Sequence, residues 1–329
     1  MAGRGKKESA APCNRSAAAP HARCTRPRNE TVGLDRLFPL ASVCSFGILE
    51  GWKIGRLDGW DEESRTTTTR YFIVDAASGE VTAHALTEQA YTQDDLRGLL
   101  TERTRLVVVN FPHNPTGYVP THAGYTSLVD IVRQSGAYLF SDEMYRFLEL
   151  DRETTLPAGC DVYRKAVSLS GLSKTFGLPG LRIGWVATRD HNILEQMRLL
   201  KDYTTICSSA PSEILGIMAV RSRENIIARQ MTRIRKNIEM LDDFFSKYSD
   251  CMCWNPPLGG SICFPRISLT DDTSEFCETL IRETGIMLVP SNVFQYGNHH
   301  VRIGFGREDF PEIIERFSTY IDSHLRNRS

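Results

Sequence analysis

Ser170-Gly-Leu-Ser-Lys174-Thr-Phe-Gly-Leu-Pro-Gly-Leu-Arg182-Ile-Gly-Trp185 is the stretch on which the reading of this 329-residue chain turns. It joins two short apolar segments of strand length, 166–170 and 182–187, through a loop that carries Lys174 among small residues, with Arg182 eight positions further on. In α/β sheets, loops at strand ends are where ligand-binding groups gather. Upstream, 106–110 and 138–140 read as buried strands, and 94–102 and 122–135 read as helices. Downstream, a further helix starts near position 191. Apolar strands alternating with amphipathic helices predict an α/β domain around a mostly parallel sheet.

From 211 to 248 the sequence is almost wholly helix-forming, with apolar side chains at Ile214, Leu215, Met218, Ile226, Ile234, Ile238 and Leu241, and such a stretch can carry the chain from one domain to the next. Beyond it, 261–265, 286–290 and 301–305 read as strands and 274–284 and 310–325 as helices, which makes a smaller α/β domain. The division expected is a large domain over 31–245 and a small C-terminal domain over 246–329. Residues 1–30, rich in Ala, Arg, Pro and Ser without periodicity, read as a disordered tail. Residues 31–80 are hardest to read, with glycines scattered around Trp52 and Trp60, and only 71–74 has the look of a strand.

Composition narrows the function classes. Hydrophobic residues make up 41% and charged residues 24%, which excludes wholesale disorder. Thirty-nine Lys and Arg against forty Asp and Glu give a net charge of -1, so no global field points to nucleic acid or to an anionic membrane. A small neutral or zwitterionic ligand fits better. The longest apolar runs, such as 106–109, fall far short of the ~20 residues of a membrane helix. Nine scattered cysteines suit reduced thiols and a cytoplasmic protein, while the basic, serine-containing tail keeps an organellar transit peptide as the alternative. Cys251 and Cys253 have no second Cys/His pair at a matching spacing, so no metal is expected.

Three segments at strand ends carry the chemistry: Asn110-Phe-Pro-His-Asn114-Pro-Thr-Gly117, Ser141-Asp142-Glu-Met-Tyr145, and the lysine segment itself. Together they resemble the class I/II aminotransferases, fold-type I enzymes that use pyridoxal 5′-phosphate. The resemblance implies a large domain with a mostly parallel sheet, a smaller C-terminal α/β domain, and a role for each matching residue. Lys174 would hold the cofactor aldehyde as a Schiff base and serve as the catalytic base and acid. Asp142 would keep the pyridine nitrogen protonated, since a nearby carboxylate favours the charged form. Tyr145 and Asn114 would bond the ring oxygen, and Ser173 and Arg182 would meet the phosphate. In Val301-Arg302-Ile-Gly-Phe305, Arg302 resembles the arginine that binds the substrate α-carboxylate. The substrates implied are an α-amino acid and a 2-oxo acid. A homodimer is implied too, with the hydroxyl-rich stretch 202–209 as a shared loop.

Each residue also has a plainer reading. Lys174 could be a solvated lysine, Asp142 the N-cap of a helix over 143–148, Tyr145 a core aromatic, and Asn114 through Gly117 merely a turn. Only their joint order and spacing argue against that set. Trp185 reads as core. The resemblance covers roughly 79–326 and fades upstream, where no glycine turn for the phosphate is placed; Ser45-Phe46-Gly47-Ile48 is a weak candidate, and Tyr71 and Trp60 are doubtful ring-stacking aromatics. The front of the large domain reads as lost or replaced. Pro290-Ser291 also departs from the family's Pro-Gly, and a serine there would cost strain if the position takes φ > 0. Two other functions therefore stay open beside transamination: a lyase or cyclase of the same fold, and a catalytically impaired pseudo-enzyme that acts by binding.

Overall fold

The computed structural model describes residues 68–75, 81–87, 93–294 and 296–326; the reading of 1–30 as a tail, the candidate turn at 45–48, Trp60 and the Tyr71 side chain fall outside what it describes. The described chain opens with an antiparallel pair, β1 (Thr68–Asp75) and β2 (Val81–Thr87), followed by helix α1 (Gln93–Leu99). Strand β3 (Thr104–Asn110), helix α2 (His122–Ser135) and strand β4 (Tyr138–Asp142) then form a crossover unit. The reasons are local. Leu106, Val107 and Val109 are buried within β3. Thr121 caps α2 by accepting a hydrogen bond from Gly124 N, and Gly136, at φ 75°, ends it. Tyr125, Leu128, Val129, Ile131 and Val132 form the face that α2 lays against the sheet.

A short helix, α3 (Gly159–Val162), leads to β5 (Ala166–Gly171) and β6 (Gly184–Thr188). The sheet runs β2-β1-β3-β4-β5-β6. Pairings β3/β4 and β4/β5 are parallel, whereas β1/β2, β1/β3 and β5/β6 are antiparallel, so β2, β3, β4 and β5 point one way and β1 and β6 the other. The parallel centre is the part that matters for the site. Its carboxyl ends, Asn110, Asp142 and Gly171, open onto the three motif loops. Trp185 corrects the sequence reading: it is 40% exposed, because β6 is the edge strand of the sheet and its outer side has no neighbouring strand among the described residues.

The helix-forming stretch after β6 resolves into α4 (His191–Thr204), α5 (Ala210–Arg221) and α6 (Arg223–Lys247). The break between α5 and α6 sits at Ser222, at φ -98° and ψ 15°, whose N–H donates to both Met218 O and Ala219 O. Asp202, Tyr203 and Thr204 close α4 rather than standing in a loop, so the irregular part of 202–209 begins at Thr205. Beyond α6 come β7 (Met252–Cys253), β8 (Ile262–Cys263), β9 (Arg266–Ile267), α7 (Thr273–Thr284), β10 (Val289–Pro290), β11 (Val301–Gly304) and α8 (Phe310–Arg326). The strand expected over 261–265 is divided into β8 and β9 by Phe264-Pro265, and a proline cannot donate to a ladder. The sheet β10-β11-β8 packs with α7, α8 and the second half of α6 around one core, in which Phe244 stacks on Phe317 at 5.2 Å.

Ser291 carries no positive φ, so the strain considered at Pro290-Ser291 is absent. Its side chain is fully buried, and its Oγ donates to Gly297 O at 2.8 Å and accepts from His300 N at 3.2 Å. Among the described residues, no helix is long and apolar enough to cross a membrane.

Candidate functional site

Register brings the first two loops together. Asn110 pairs with Asp142 across β3/β4, so those two strand ends lie level, and Asp142 pairs with Leu169 across β4/β5, with β5 running two residues further to Gly171. Asn110 Nδ2 donates to Asp142 O at 3.2 Å, and Asn110 Oδ1 accepts from Asn114 N at 2.7 Å, which folds the Asn114 loop back over the sheet end. After Asp142 the chain turns instead of entering a helix. Asp142 Oδ1 accepts from Met144 N at 3.0 Å, and Glu143, buried, accepts from Gly159 N at 2.8 Å and Ser168 Oγ at 2.7 Å. Asp142 is therefore a turn residue and not a helix cap. Gly117, at φ 73°, lets the Asn114 loop receive a segment from beyond α6: its carbonyl accepts from Leu258 N and Gly259 N, both at 2.9 Å, and a Cβ at Gly117 would collide with Pro257.

The lysine loop is a tight turn with two buried sides. Leu172, Thr175 and Phe176 point inward, while Lys174 stays exposed toward the sheet end. Gly177, at φ 65°, closes the turn by donating to Lys174 O at 3.0 Å, and a Cβ there would run into Gln230. Lys174 Nζ lies 5.7 Å from the centroid of the Tyr145 ring, which is buried. Arg182, itself left-handed at φ 54°, donates from Nη1 to Pro179 O at 2.8 Å. From the other sheet, Arg302 on β11 donates from Nη1 to Asn114 Oδ1 at 3.0 Å, and its guanidinium lies 5.4 Å over the Phe294 ring.

The electrostatics follow from this crowding. Although the Lys174 side chain as a whole is exposed, partial desolvation of its amine lowers it below the ordinary lysine range; the Arg302 and Arg182 charges push the same way, and Asp142 opposes them. Burial also pushes the Asp142 carboxyl up to about 6, with the Met144 amide and Lys174 pulling it back. Tyr145 is pushed up to about 12 by burial, offset by Arg302. Asn114, Asp142, Tyr145, Lys174, Arg182 and Arg302, which the sequence nominated singly, thus stand in one cluster joined by a hydrogen bond, a cation–π contact and mutual fields.

Ser173, the seventh nominated residue, supplies a test of fit for a phosphate. Its Oγ is buried and has no hydrogen-bond partner among the described residues, a state that costs roughly 1–3 kcal/mol unless an acceptor or donor arrives. A phosphate oxygen near Arg182 would satisfy it, so the residues present fit pyridoxal 5′-phosphate. Asn110, Glu143, Thr175 and Phe294 were not singled out from sequence. Asn110 had a signal, a polar side chain at the end of an otherwise apolar strand, whereas the other three act through contacts far apart in the chain.

Comparison with known proteins agrees with this arrangement. The family pattern described as aminotransferase class I and II matches residues 66–317. Capreomycidine synthase of Streptomyces vinaceus is 34% identical over 237 residues, 71% of this chain and 60% of that protein. Among solved structures, a PLP-dependent aminotransferase from Streptococcus suis aligns with a TM-score of 0.66 and 31% identity, covering 71% of this chain and 61% of its own. The PLP-dependent cyclase OrfR aligns with a TM-score of 0.64 and 32% identity, covering 72% and 63% respectively. The chain thus spans about three fifths of the length of these relatives.

Proposed function

The chain belongs to the class I and II aminotransferase family, and we propose on that premise that it binds pyridoxal 5′-phosphate and transfers an amino group between an α-amino acid and a 2-oxo acid. The observation that carries the proposal is the Lys174 amine, lowered in pKa and held over Tyr145 within the field of Asp142, beside the unpartnered Ser173 hydroxyl. When bound, the cofactor supplies an electron-withdrawing ring conjugated to the substrate Cα. Ser173 and Arg182 would hold its phosphate, and Asp142 would keep its ring nitrogen protonated. Tyr145 and Asn114 would bond its ring oxygen. Lys174 Nζ would be the amine that holds the cofactor's aldehyde carbon, and it would move the proton between the substrate Cα and that aldehyde carbon, on the far side of the intervening nitrogen. An amine with a lowered pKa is suited to that task, since less free energy is needed to bring it to the neutral form that accepts a proton.

A second reading has its own support. Capreomycidine synthase and the cyclase OrfR are among the similar proteins, which favours a cyclase or lyase that uses the same proton removal. The loaded protein given an amino acid and no 2-oxo acid separates the two. A transaminase releases one equivalent of 2-oxo acid per site and stalls. Continued release of ammonia, a leaving group or a cyclised product would move the assignment to the second reading, and no product at all would point to the binding-only alternative.

Arg302 is proposed to bind the substrate carboxylate. Arg302→Leu is expected to lower kcat/KM for α-amino acids by about 10²-fold, chiefly through KM, because a charge-assisted bidentate pair is lost from substrate and not from cofactor. The visible absorbance of the loaded protein should not change. Loss of that absorbance would make Arg302 a structural residue.

Assembly as a twofold homodimer completes the proposal. Helices α4 and α5 leave a run of large apolar side chains in solvent: Leu199 at 63%, Tyr203 at 93%, Ile206 at 73%, Ile214 at 61% and Met218 at 58% exposed. A face of this kind marks an interaction surface, and a second copy is its proposed occupant. Sedimentation over a concentration series should show dimer giving way to monomer on dilution, and Ile214→Glu with Met218→Glu should leave monomer throughout. A wild-type chain that stays monomeric at every concentration removes the dimer from the proposal.

A further inference from the structure

Thr175 follows the lysine in sequence and is 3% exposed. Its single hydroxyl proton is shared between two backbone carbonyls of the turn that follows Asp142: Oγ1 donates to Arg146 O at 2.7 Å and to Met144 O at 3.1 Å. That turn is itself fixed to the acid, since Met144 N donates to Asp142 Oδ1 at 3.0 Å, and to the sheet, since Glu143 N donates to Leu169 O at 2.8 Å. The Arg146 carbonyl is presented by an unusual backbone, for Phe147 next to it stands at φ 74°. An unbroken path therefore runs from the Asp142 carboxylate through the Met144 peptide and the Thr175 hydroxyl to the backbone of Lys174. Among the described residues no hydrogen bond of comparable length holds the Lys174 side chain in place, and its amine lies 5.7 Å from the centroid of the Tyr145 ring.

We propose that Thr175 is a positioning residue that sets the distance between the Lys174 amine and Asp142, acting through its bonds to the 144–147 turn and touching neither cofactor nor substrate. This rests on the assignment of Lys174 as the amine that works on the substrate. The reason a hydroxyl is needed is geometric. The turn and the lysine loop are about thirty residues apart; the Glu143 N–Leu169 O bond ties the start of the turn to β5, and the Thr175 hydroxyl ties its later carbonyls, Met144 O and Arg146 O, to the lysine loop itself. A displacement near 1 Å at a reacting group costs up to about 10²-fold in rate.

The test uses the full-length chain in three forms: wild type, Thr175→Val, which keeps the branched shape and deletes the donor, and Thr175→Ser, which keeps the donor. In the protein without cofactor, the reaction of Lys174 with trinitrobenzenesulfonate is followed across pH by peptide mapping. The groups acting on that amine are Arg302, Arg182 and Asp142, with burial the largest influence. In Thr175→Val the loop is expected to relax outward, so the Lys174 midpoint should rise toward that of an ordinary lysine. With cofactor, kcat should fall roughly 10- to 10²-fold with KM within about threefold of wild type. Thr175→Ser should restore both readouts. A merely structural threonine would lower the melting temperature of the valine form while leaving the Lys174 midpoint and kcat where they were, and that result would overturn the proposal. If valine prevents folding, Thr175→Ala is read by the same criteria. A wild-type protein without turnover counts against the proposed function alone, since the Lys174 titration still decides the role of Thr175.

Discussion

Lys174→Ala is expected to abolish covalent cofactor attachment and to lower turnover by about 10³-fold or more, the combined loss of the attaching amine and of the group that moves the Cα proton. The protein itself should fold as before. Lys174 is exposed and its amine lies 5.7 Å from the centroid of the Tyr145 ring, so its removal leaves no buried partner unpaired among the described residues. Its ammonium also sits against two guanidiniums, Arg302 and Arg182, so removing the charge relieves repulsion as well as losing the attraction to Asp142. The net change in stability should stay within about 0.5 kcal/mol. The checks are absorbance after reconstitution, borohydride reduction followed by peptide mapping, and multiple-turnover kinetics. Activity within tenfold of wild type in the alanine form would place the base elsewhere.

The lysine segment could be read from sequence because its constraints are short-range. A turn with Gly177 at its close, buried side chains at Leu172 and Phe176, and Arg182 after a single further turn are all set within a dozen residues. The strands β3, β4 and β5 were equally legible, since a strand buried on both faces announces itself as an apolar run. Trp185 was misread for a reason that lies outside its own neighbourhood. Whether a strand lies at an edge depends on what pairs with it, and the apolar composition of 184–188 is the same in either case. The break at Ser222 escaped because serine is tolerated inside helices, and only the hydrogen bonds to Met218 O and Ala219 O show the turn. Thr175 and Glu143 bond partners 16 to 31 positions away, so no local pattern could have marked them. The positive φ considered at Ser291 was a conditional inference from a missing glycine, and the backbone there never takes it.

Asp142→Asn is expected to move stability and activity in opposite directions. In the protein without cofactor the carboxyl is pushed up to about 6 from an ordinary value of 3.8, with burial as the main cause. The folded chain therefore holds this proton more tightly than the unfolded one, so the contribution to stability falls as pH rises from near 4 to about 6 and stays low above that. The shift corresponds to roughly 2–3 kcal/mol at neutral pH. An asparagine keeps an oxygen for the Met144 N–H, whose bond to Asp142 Oδ1 is 3.0 Å, and carries no charge to desolvate. Without cofactor, the asparagine form should thus melt higher than wild type at pH 7.5, and the gap should narrow by pH 4.5 and close only below the ordinary carboxyl value of 3.8, where Asp142 is protonated in both the folded and the unfolded chain. Activity should fall by about 10²–10⁴-fold, because a neutral amide no longer favours a protonated ring nitrogen beside it. Cofactor should narrow the stability gap, since wild type then gains a positive partner for its carboxylate that the amide cannot match. A wild-type and asparagine pair with equal melting temperatures at both pH values would mean that Asp142 is not desolvated in the way the fold implies. An asparagine form with full turnover would mean that another acid serves the ring nitrogen. The acid suited to that nitrogen is destabilising while the site is empty, because the burial that opposes its charge in the free protein is what strengthens its hold on a cationic ring.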